Sequence, residues 1–265
     1  MVKKIHYVWL GQNPKDKFVL EKIESWKKFC PDYEIIEWNE TNFDLNTCKY
    51  ALDAYNQKKY AFASDYIRIK VLNEFGGLYL DTDVELIKPV DEILQGNQSV
   101  IGFETKSYLA TNFIYAEPHQ EWLEKLLKYY QKTDFVLKKS KNTNKNNEKS
   151  KKKVKLNLLP NTYLVTAFLN KYNGLKLFSQ EQLLDGGIKV YPQDYFSPKD
   201  MQTREVILSP NTVSVHHFSA SWTGENFNKQ QKFVRGVRKV FGIKMFSRFE
   251  KMYTKILVKK IKKII

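Results

Sequence analysis

The sequence predicts an α/β fold, and three observations carry that prediction. A strand, a helix and a second strand follow one another between Lys4 and Trp38, the opening of a βαβ unit. A long apolar helix then stops at Gly76-Gly77 and passes straight into a short buried strand. Further apolar runs of strand length alternate with helical spacing along the rest of the chain.

The elements follow in order. Lys4 to Leu10 alternates and is rich in β-formers, so it reads as a buried strand closed by Gly11 and Pro14. Phe18, Ile23, Trp26 and Phe29 recur at helical spacing in Lys15 to Phe29, and Cys30-Pro31 stops that helix. Tyr33 to Trp38 is the second strand. Ala61 to Phe75 is the next helix, followed by Leu78 to Leu80 as a strand, Val84 to Ile87 as its continuation, and strands at Ser99 to Phe103 and Asn112 to Ala116. A helix is expected from Pro118 to Gln131 and another from Leu156 to Lys171, with strands at Ile188 to Tyr191 and Val213 to His217. No internal repeat is present.

Charge is unevenly placed. The formal net charge is +15, but residues 138–155 hold nine Lys against Glu148 and residues 229–265 hold thirteen Lys or Arg against Glu250. Removing both leaves a mildly acidic body. Residues 138–155 have nothing with which to build a core and read as a disordered loop inside a domain spanning 1–228. Cys30 and Cys48 stand in no metal or redox spacing, which excludes a disulfide framework and a zinc site and fits a reducing compartment. Ile5 to Leu10 is too short for a signal h-region, and no apolar run reaches membrane-span length, so the expectation is a cytoplasmic protein. The aromatic residues sit in the acidic body and are not interleaved with the Lys run, which argues against a nucleic-acid partner.

Three clusters could carry chemistry. On the helix from Ala61, Ser64, Asp65 and Arg68 share one sector while most of the remaining surface is apolar. Alone, that patch is either an internal Asp65–Arg68 ion pair or a ligand site. Asp81-Thr82-Asp83 ends a buried strand beside Tyr79 and the double glycine, with both carboxylates expected on one face. Paired hard oxygens suit Mg²⁺ or Mn²⁺ bridging phosphates, and a solvated strand end is the plainer alternative. His216-His217 ends the last strand; neighbouring side chains there face opposite ways, so one of the two can reach a shared site. Trp9 is either core or a platform for a planar base.

Taken together, Ile5-His6-Tyr7-Val8-Trp9-Leu10-Gly11, Ala63-Ser64-Asp65-x-x-Arg68, Gly76-Gly77-x-Tyr79-x-Asp81-x-Asp83 and His216-His217-x-Ser219-x-Ser221-Trp222 resemble the nucleotide-sugar-dependent glycosyltransferases of the DxD sugar-binding group. That group includes bacterial capsule and exopolysaccharide enzymes, fungal mannosyltransferases and, more distantly, the glucosylating domains of clostridial toxins. The resemblance implies a Rossmann-like GT-A domain that binds a nucleotide-sugar donor with Mn²⁺ or Mg²⁺. In it Trp9 would stack on the base, Ser64 would lie near the nucleoside, and Asp65 and Arg68 would hold the donor sugar. Asp81 would contact ribose and sugar beside Tyr79, and Asp83 would ligate the metal. His216 or His217, with Ser219, would complete the metal shell, and Trp222 would close over the diphosphate. Asp65, Arg68 and Asp81 would be the catalytic set, the reaction would retain anomeric configuration, and no residue stands out as a covalent nucleophile.

From Phe241 onward, Met245, Phe246, Phe249, Met252, Tyr253, Ile256, Leu257, Ile261 and Ile264 recur at helical spacing with Lys and Arg between them. This reads as a basic amphipathic helix, within a tail spanning 229–265, lying on an anionic membrane; a helix docked on the domain is the alternative. The function expected is transfer of a sugar, from a UDP-sugar first, to a lipid-linked saccharide at the inner face of the plasma membrane. A toxin-like transferase acting on protein is the rival enzyme, and a basic nucleic-acid binder the rival of another class.

Overall fold

The computed structural model describes residues 1–105, 107–139, 154–178, 181–200, 204–219, 248 and 251–265. In chain order these form β1 (Lys4–Val8), α1 (Lys17–Phe29), β2 (Glu34–Trp38), α2 (Lys49–Asn56), α3 (Tyr60–Phe75), β3 (Gly77–Leu80), β4 (Val84–Leu86), α4 (Asp91–Leu94), β5 (Ser99–Phe103), β6 (Leu109–Ala116), α5 (Glu121–Lys132), β7 (Val136–Lys139), β8 (Val154–Leu156), α6 (Asn161–Tyr172), β9 (Gln182–Leu184), β10 (Ile188–Tyr191), α7 (Gln193–Phe196) and β11 (Ser214–His216). A last helix, α8, covers residues 251–261.

Seven strands make the central sheet in the order β2-β1-β3-β6-β5-β10-β9. β1 runs parallel to β2 and β3, and β10 runs parallel to β5; β6 lies antiparallel between β3 and β5, so those two share the direction of β1. The α/β expectation holds. Strand alternation divides the apolar side chains between two cores, one on each face: Leu78 and Leu80 point into the core with Trp26 and Phe113, while Tyr79 between them points into the core with α3 and α5.

The local chemistry explains the elements nearest the site. Asp16 caps α1 by accepting from the Val19 amide at 2.9 Å, and the fully buried Trp26 donates its indole N–H to the Val84 carbonyl at 2.8 Å, tying α1 to β4. α3 ends at Gly76, φ +64°, and a Cβ on Gly77, φ +104°, would meet the Lys4 carbonyl at 2.7 Å. Only glycine lets β3 lie this close to β1. His6 braces the turn, its Nε2 lying 2.8 Å from the Gly76 carbonyl while its Nδ1 accepts from Trp38 at 3.1 Å. Burial lowers the His6 pKa to about 4, which keeps that ring neutral.

Two expectations are corrected, and helix α2 has no counterpart in the sequence reading. Its short and partly charged sequence gives little periodic signal, yet it packs on α3 through Tyr50, Ala51 and Ala54. The segment from Leu156 is not yet helix: β8 pairs antiparallel with β7, so the Lys-rich run begins and ends in a hairpin, and α6 starts at Asn161. Val136 and Leu156 pack against the main core and supply the anchor that the lysines lack; residues 140–153 of the loop expected to be disordered lie outside the described residues. Asp81-Thr82-Asp83 does not prolong β3 but turns, with the Val84 amide bonded to the Asp81 carbonyl at 3.0 Å.

The basic tail forms a helix, and one of its faces is covered by the body. Among its described residues, Thr254, Val258 and Ile261 are buried, and Val258 and Ile261 belong to the main core. Lys262 Nζ donates to Asn170 of α6 at 2.9 Å, and Lys171 Nζ to the Ile265 carbonyl at 2.6 Å. α8 is therefore docked on the body by one face, while Met252 (53% exposed), Tyr253 (59%) and Ile256 (59%) are left outside. Helical spacing of apolar residues shows that a face is covered, not what covers it. Of the tail, residues 229–247, 249 and 250 lie outside the described residues.

Candidate active site

The parallel strands β1, β2, β3, β5 and β10 all end at one edge of the sheet, and β2 and β3 leave β1 on opposite sides. In open α/β sheets that edge, beyond the carboxyl ends of the strands, is where ligands bind. Asp81 follows β3 there, and Glu104 follows β5. Asp83 stands on the turn after Asp81, and β11 pairs antiparallel with β4 so that His216 lies opposite Val84.

Asp81, Asp83 and His216 each offer one ligand atom, all within 4.8 Å of one another. His216 Nε2 is 3.3 Å from Asp83 Oδ1, and Ser219 donates its amide and its hydroxyl to Asp83 Oδ2 at 2.8 and 3.1 Å. Burial works to raise the Asp83 pKa, but the His216 charge and the Ser219 donors outweigh it and hold this carboxyl well below the usual range. Burial likewise opposes a charge on His216, and the neighbouring Asp83 reverses the balance, raising its pKa. Two carboxylates and an imidazole make a donor set that fits Mn²⁺ or Mg²⁺. Among the described residues the buried His216 Nδ1 has no hydrogen-bond partner, while Nε2 is the ring nitrogen turned to the carboxylates.

Arg68 is the hub on the other side. Its guanidinium, buried on α3, donates to the Thr111 carbonyl of β6 at 2.5 Å and lies 3.1 Å from Asp65 Oδ1, 3.2 Å from Asp81 Oδ1 and 3.3 Å from Ser64 Oγ. Its carbon sits 4.7 Å from the Tyr79 ring centroid, and Tyr79 Oη donates to Asp81 at 3.0 Å. Burial opposes the Arg68 charge, and Asp81 leads the groups that keep its pKa above normal. For Asp65, burial prevails over Arg68 and pushes the carboxyl up to about 7. The ion pair is present, and through Arg68 the patch read on α3 reaches the DxD turn.

The other expected residues are placed as follows. Trp9 is half-buried just past the end of β1, with its indole N–H on the Asn13 carbonyl at 2.7 Å and Lys15 Nζ 5.8 Å from the ring centroid. His217 is not in the carboxylate cluster; it faces Glu85 at 2.7 Å, which also takes Lys22 at 2.9 Å, and burial lowers its pKa. The strand alternation that leaves one histidine for the site selects His216. Trp222 lies outside the described residues. Sequence reading missed Glu104, Asn161 and the Thr111 carbonyl. Glu104 is buried, its Oε1 4.0 Å from His216 Nδ1, and burial pushes its carboxyl up to about 7. Asn161 opens α6 beside Asp65 and accepts from Tyr130 Oη at 3.1 Å. Glu104 stands just after an apolar strand as Asp81 does, but that position alone does not say which strand end it joins.

Residues 16–100 match the glycosyltransferase sugar-binding region containing the DXD motif. Among curated proteins, subversion of eukaryotic traffic protein A from Legionella pneumophila subsp. pneumophila (strain Philadelphia 1) is 27% identical over 120 residues, which are 34% of this chain and 18% of that protein. The match thus spans under a fifth of the relative's length. Among solved structures, the PaToxG glycosyltransferase is similar at 20% identity and a TM-score of 0.41, over 48% of this chain and 59% of that one. A glycosyltransferase involved in glycosylation of the major capsid of PBCV-1 is similar at 13% identity and a TM-score of 0.40, over 86% of this chain and 98% of that one. The mostly parallel sheet, with the DXD carboxylates past the carboxyl end of β3, is the arrangement expected of a GT-A domain.

Proposed function

We propose that the chain, whose residues 16–100 match the DXD sugar-binding region, is a metal-dependent glycosyltransferase that moves a sugar from a nucleotide-sugar, a UDP-sugar first, to a lipid-linked glycan in capsule or exopolysaccharide synthesis. The observation that carries this reading is the convergence of Asp81, Asp83 and His216 opposite the buried Arg68. Asp81, Asp83 and His216 would hold the cation, which would offset the negative charge growing on the departing diphosphate. Arg68 is already fixed by Thr111, Asp65 and Asp81, so its charge stands ready without reorganisation where phosphate and sugar oxygens meet. Asp65 accepts from sugar hydroxyls or, protonated near neutral pH, donates to one. Trp9 offers a half-buried ring to the base. Retention of configuration follows if the acceptor hydroxyl attacks from the side of the leaving group, since no described residue is assigned as a covalent nucleophile.

Membrane-surface binding, at the cytoplasmic face of the plasma membrane, is the second part of the proposal. It is supported by Met252, Tyr253 and Ile256, exposed on the basic helix α8 whose opposite face is docked. One observation favours a protein acceptor instead: the identity shared with a protein named for subverting eukaryotic traffic.

The test is donor hydrolysis and transfer with UDP- and GDP-sugars, with and without Mn²⁺, followed by acceptor competition between bacterial lipid extract and a eukaryotic protein lysate. Metal-dependent turnover with label in lipid supports the proposal. Label in protein transfers it to the second acceptor, and no turnover with any donor in Mn²⁺ or Mg²⁺ overturns it.

A further inference from the structure

Glu104 touches neither Asp81 nor Asp83 through a hydrogen bond, yet it is buried at the same edge of the sheet as both. A carboxylate in such a place needs a partner, because burying an unpaired one is costly. What faces it is the far side of the His216 ring: Glu104 Oε1 is 4.0 Å from Nδ1, too far for a hydrogen bond, and Nδ1 is buried with none. The near side, Nε2, points at Asp83 at 3.3 Å. Phe218 packs on the same ring at a centroid distance of 4.0 Å and limits how it can turn.

A histidine that gives Nε2 to a metal carries its remaining N–H on Nδ1, and metal-binding histidines generally donate that N–H to a carboxylate or carbonyl. We propose that Glu104 is a positioning residue for the metal: it accepts the Nδ1–H of His216 when Nε2 ligates the cation held by Asp81 and Asp83, closing a carboxylate–histidine–metal relay. The inference rests on the metal site read above. It adds a residue outside the DxD turn and outside the histidine pair, contributed by the turn after β5 from across β6. The 4.0 Å separation closes with a movement of about 1 Å, which falls to the Glu104 side chain because Phe218 limits the ring.

The experiment is Mn²⁺ binding by the full chain, followed by electron paramagnetic resonance of free Mn²⁺, in the wild type and in E104Q, E104A, H216A, D83N and the E104A/H216A double variant. Loss of an outer-shell partner of this kind costs about 10–100-fold in metal affinity. E104A is therefore expected to weaken Mn²⁺ within that range, E104Q less, because its amide oxygen still accepts the N–H. The double variant should bind as H216A does, since a residue that acts through His216 has nothing left to orient. Melting temperatures read alongside separate a folding defect from this effect, and E104Q, close in shape, covers the case of an unstable E104A. If D83N abolishes binding but E104A and E104Q bind as wild type, the relay is wrong and the metal site stands. Additive losses in the double variant also overturn it. If the wild type binds no Mn²⁺ and D83N changes nothing, the metal reading fails, and the relay with it.

Discussion

Ser219 gives both its backbone amide and its hydroxyl to one carboxylate oxygen of Asp83, leaving the other oxygen to face His216. Three donors on one buried carboxylate fix both its charge and its direction. Asp83→Asn replaces one oxygen by an amide that meets donors instead of accepting from them. The expected outcome is loss of Mn²⁺ binding and a fall of about 100-fold or more in transfer, since a charged cation ligand is removed. Ser219→Ala keeps the amide and should stay within a few-fold of wild type. Initial rates across a Mn²⁺ titration check both, and near wild-type turnover of Asp83→Asn at saturating metal would remove Asp83 from the ligand set.

Arg68→Lys should preserve the fold and lower kcat/KM by about 100-fold, because a single ammonium cannot span Thr111, Asp65 and Asp81 at once. That factor corresponds to about 2.7 kcal/mol of transition-state stabilisation. Kinetics paired with thermal melts decide it. Activity that falls only as far as stability does would make Arg68 a structural ion-pair residue.

Asp65 supplies a pH dependence with a definite sign. Its folded pKa, about 7, lies above the ordinary aspartate value of 3.8, so the folded state holds the extra proton between those values. Stability is fully present below pH 4 and declines as pH rises through 7, where the buried carboxyl must ionise. Asp65→Asn removes that decline, so its melting temperature should gain on the wild type between pH 5 and pH 8. A constant difference across that range would show that Arg68 already compensates the charge.

These residues were not equally legible. α3, β3 and their glycine stop could be read because apolar runs and Gly76-Gly77 are local signals. Asp65 and Arg68 are three residues apart on one helix, so their pairing was visible, whereas the reach of Arg68 to Asp81 was not. Glu104 was not, because it joins the site only through a sheet order in which β5 lies beyond β6, and no local pattern encodes that. The hairpin of β7 and β8 was hidden by the lysines it brackets. In α8 the apolar period was right, but period alone does not distinguish lipid from protein as the covering surface.

The two faces of α8 should separate cleanly. Ile261→Ala, inside the core, should cost about 2–4 kcal/mol of stability. Ile256→Asp and Met252→Asp, on exposed positions, should leave melting nearly unchanged and reduce flotation with anionic vesicles. Equal flotation of wild type and both Asp variants would dispose of the membrane role. The salt dependence should follow the lysines, with binding weakening as ionic strength rises.

The shortest contact that Arg68 makes is to the main-chain oxygen of Thr111. A main-chain oxygen survives small replacements at the buried position 111, such as Ser, Ala or Val, so these should leave the guanidinium anchored. A deep mutational scan should show tolerance of such residues at one end of this bond and intolerance at codon 68, the other. Only a change in the path of β6 itself, such as a deletion that shifts its register, reaches the acceptor.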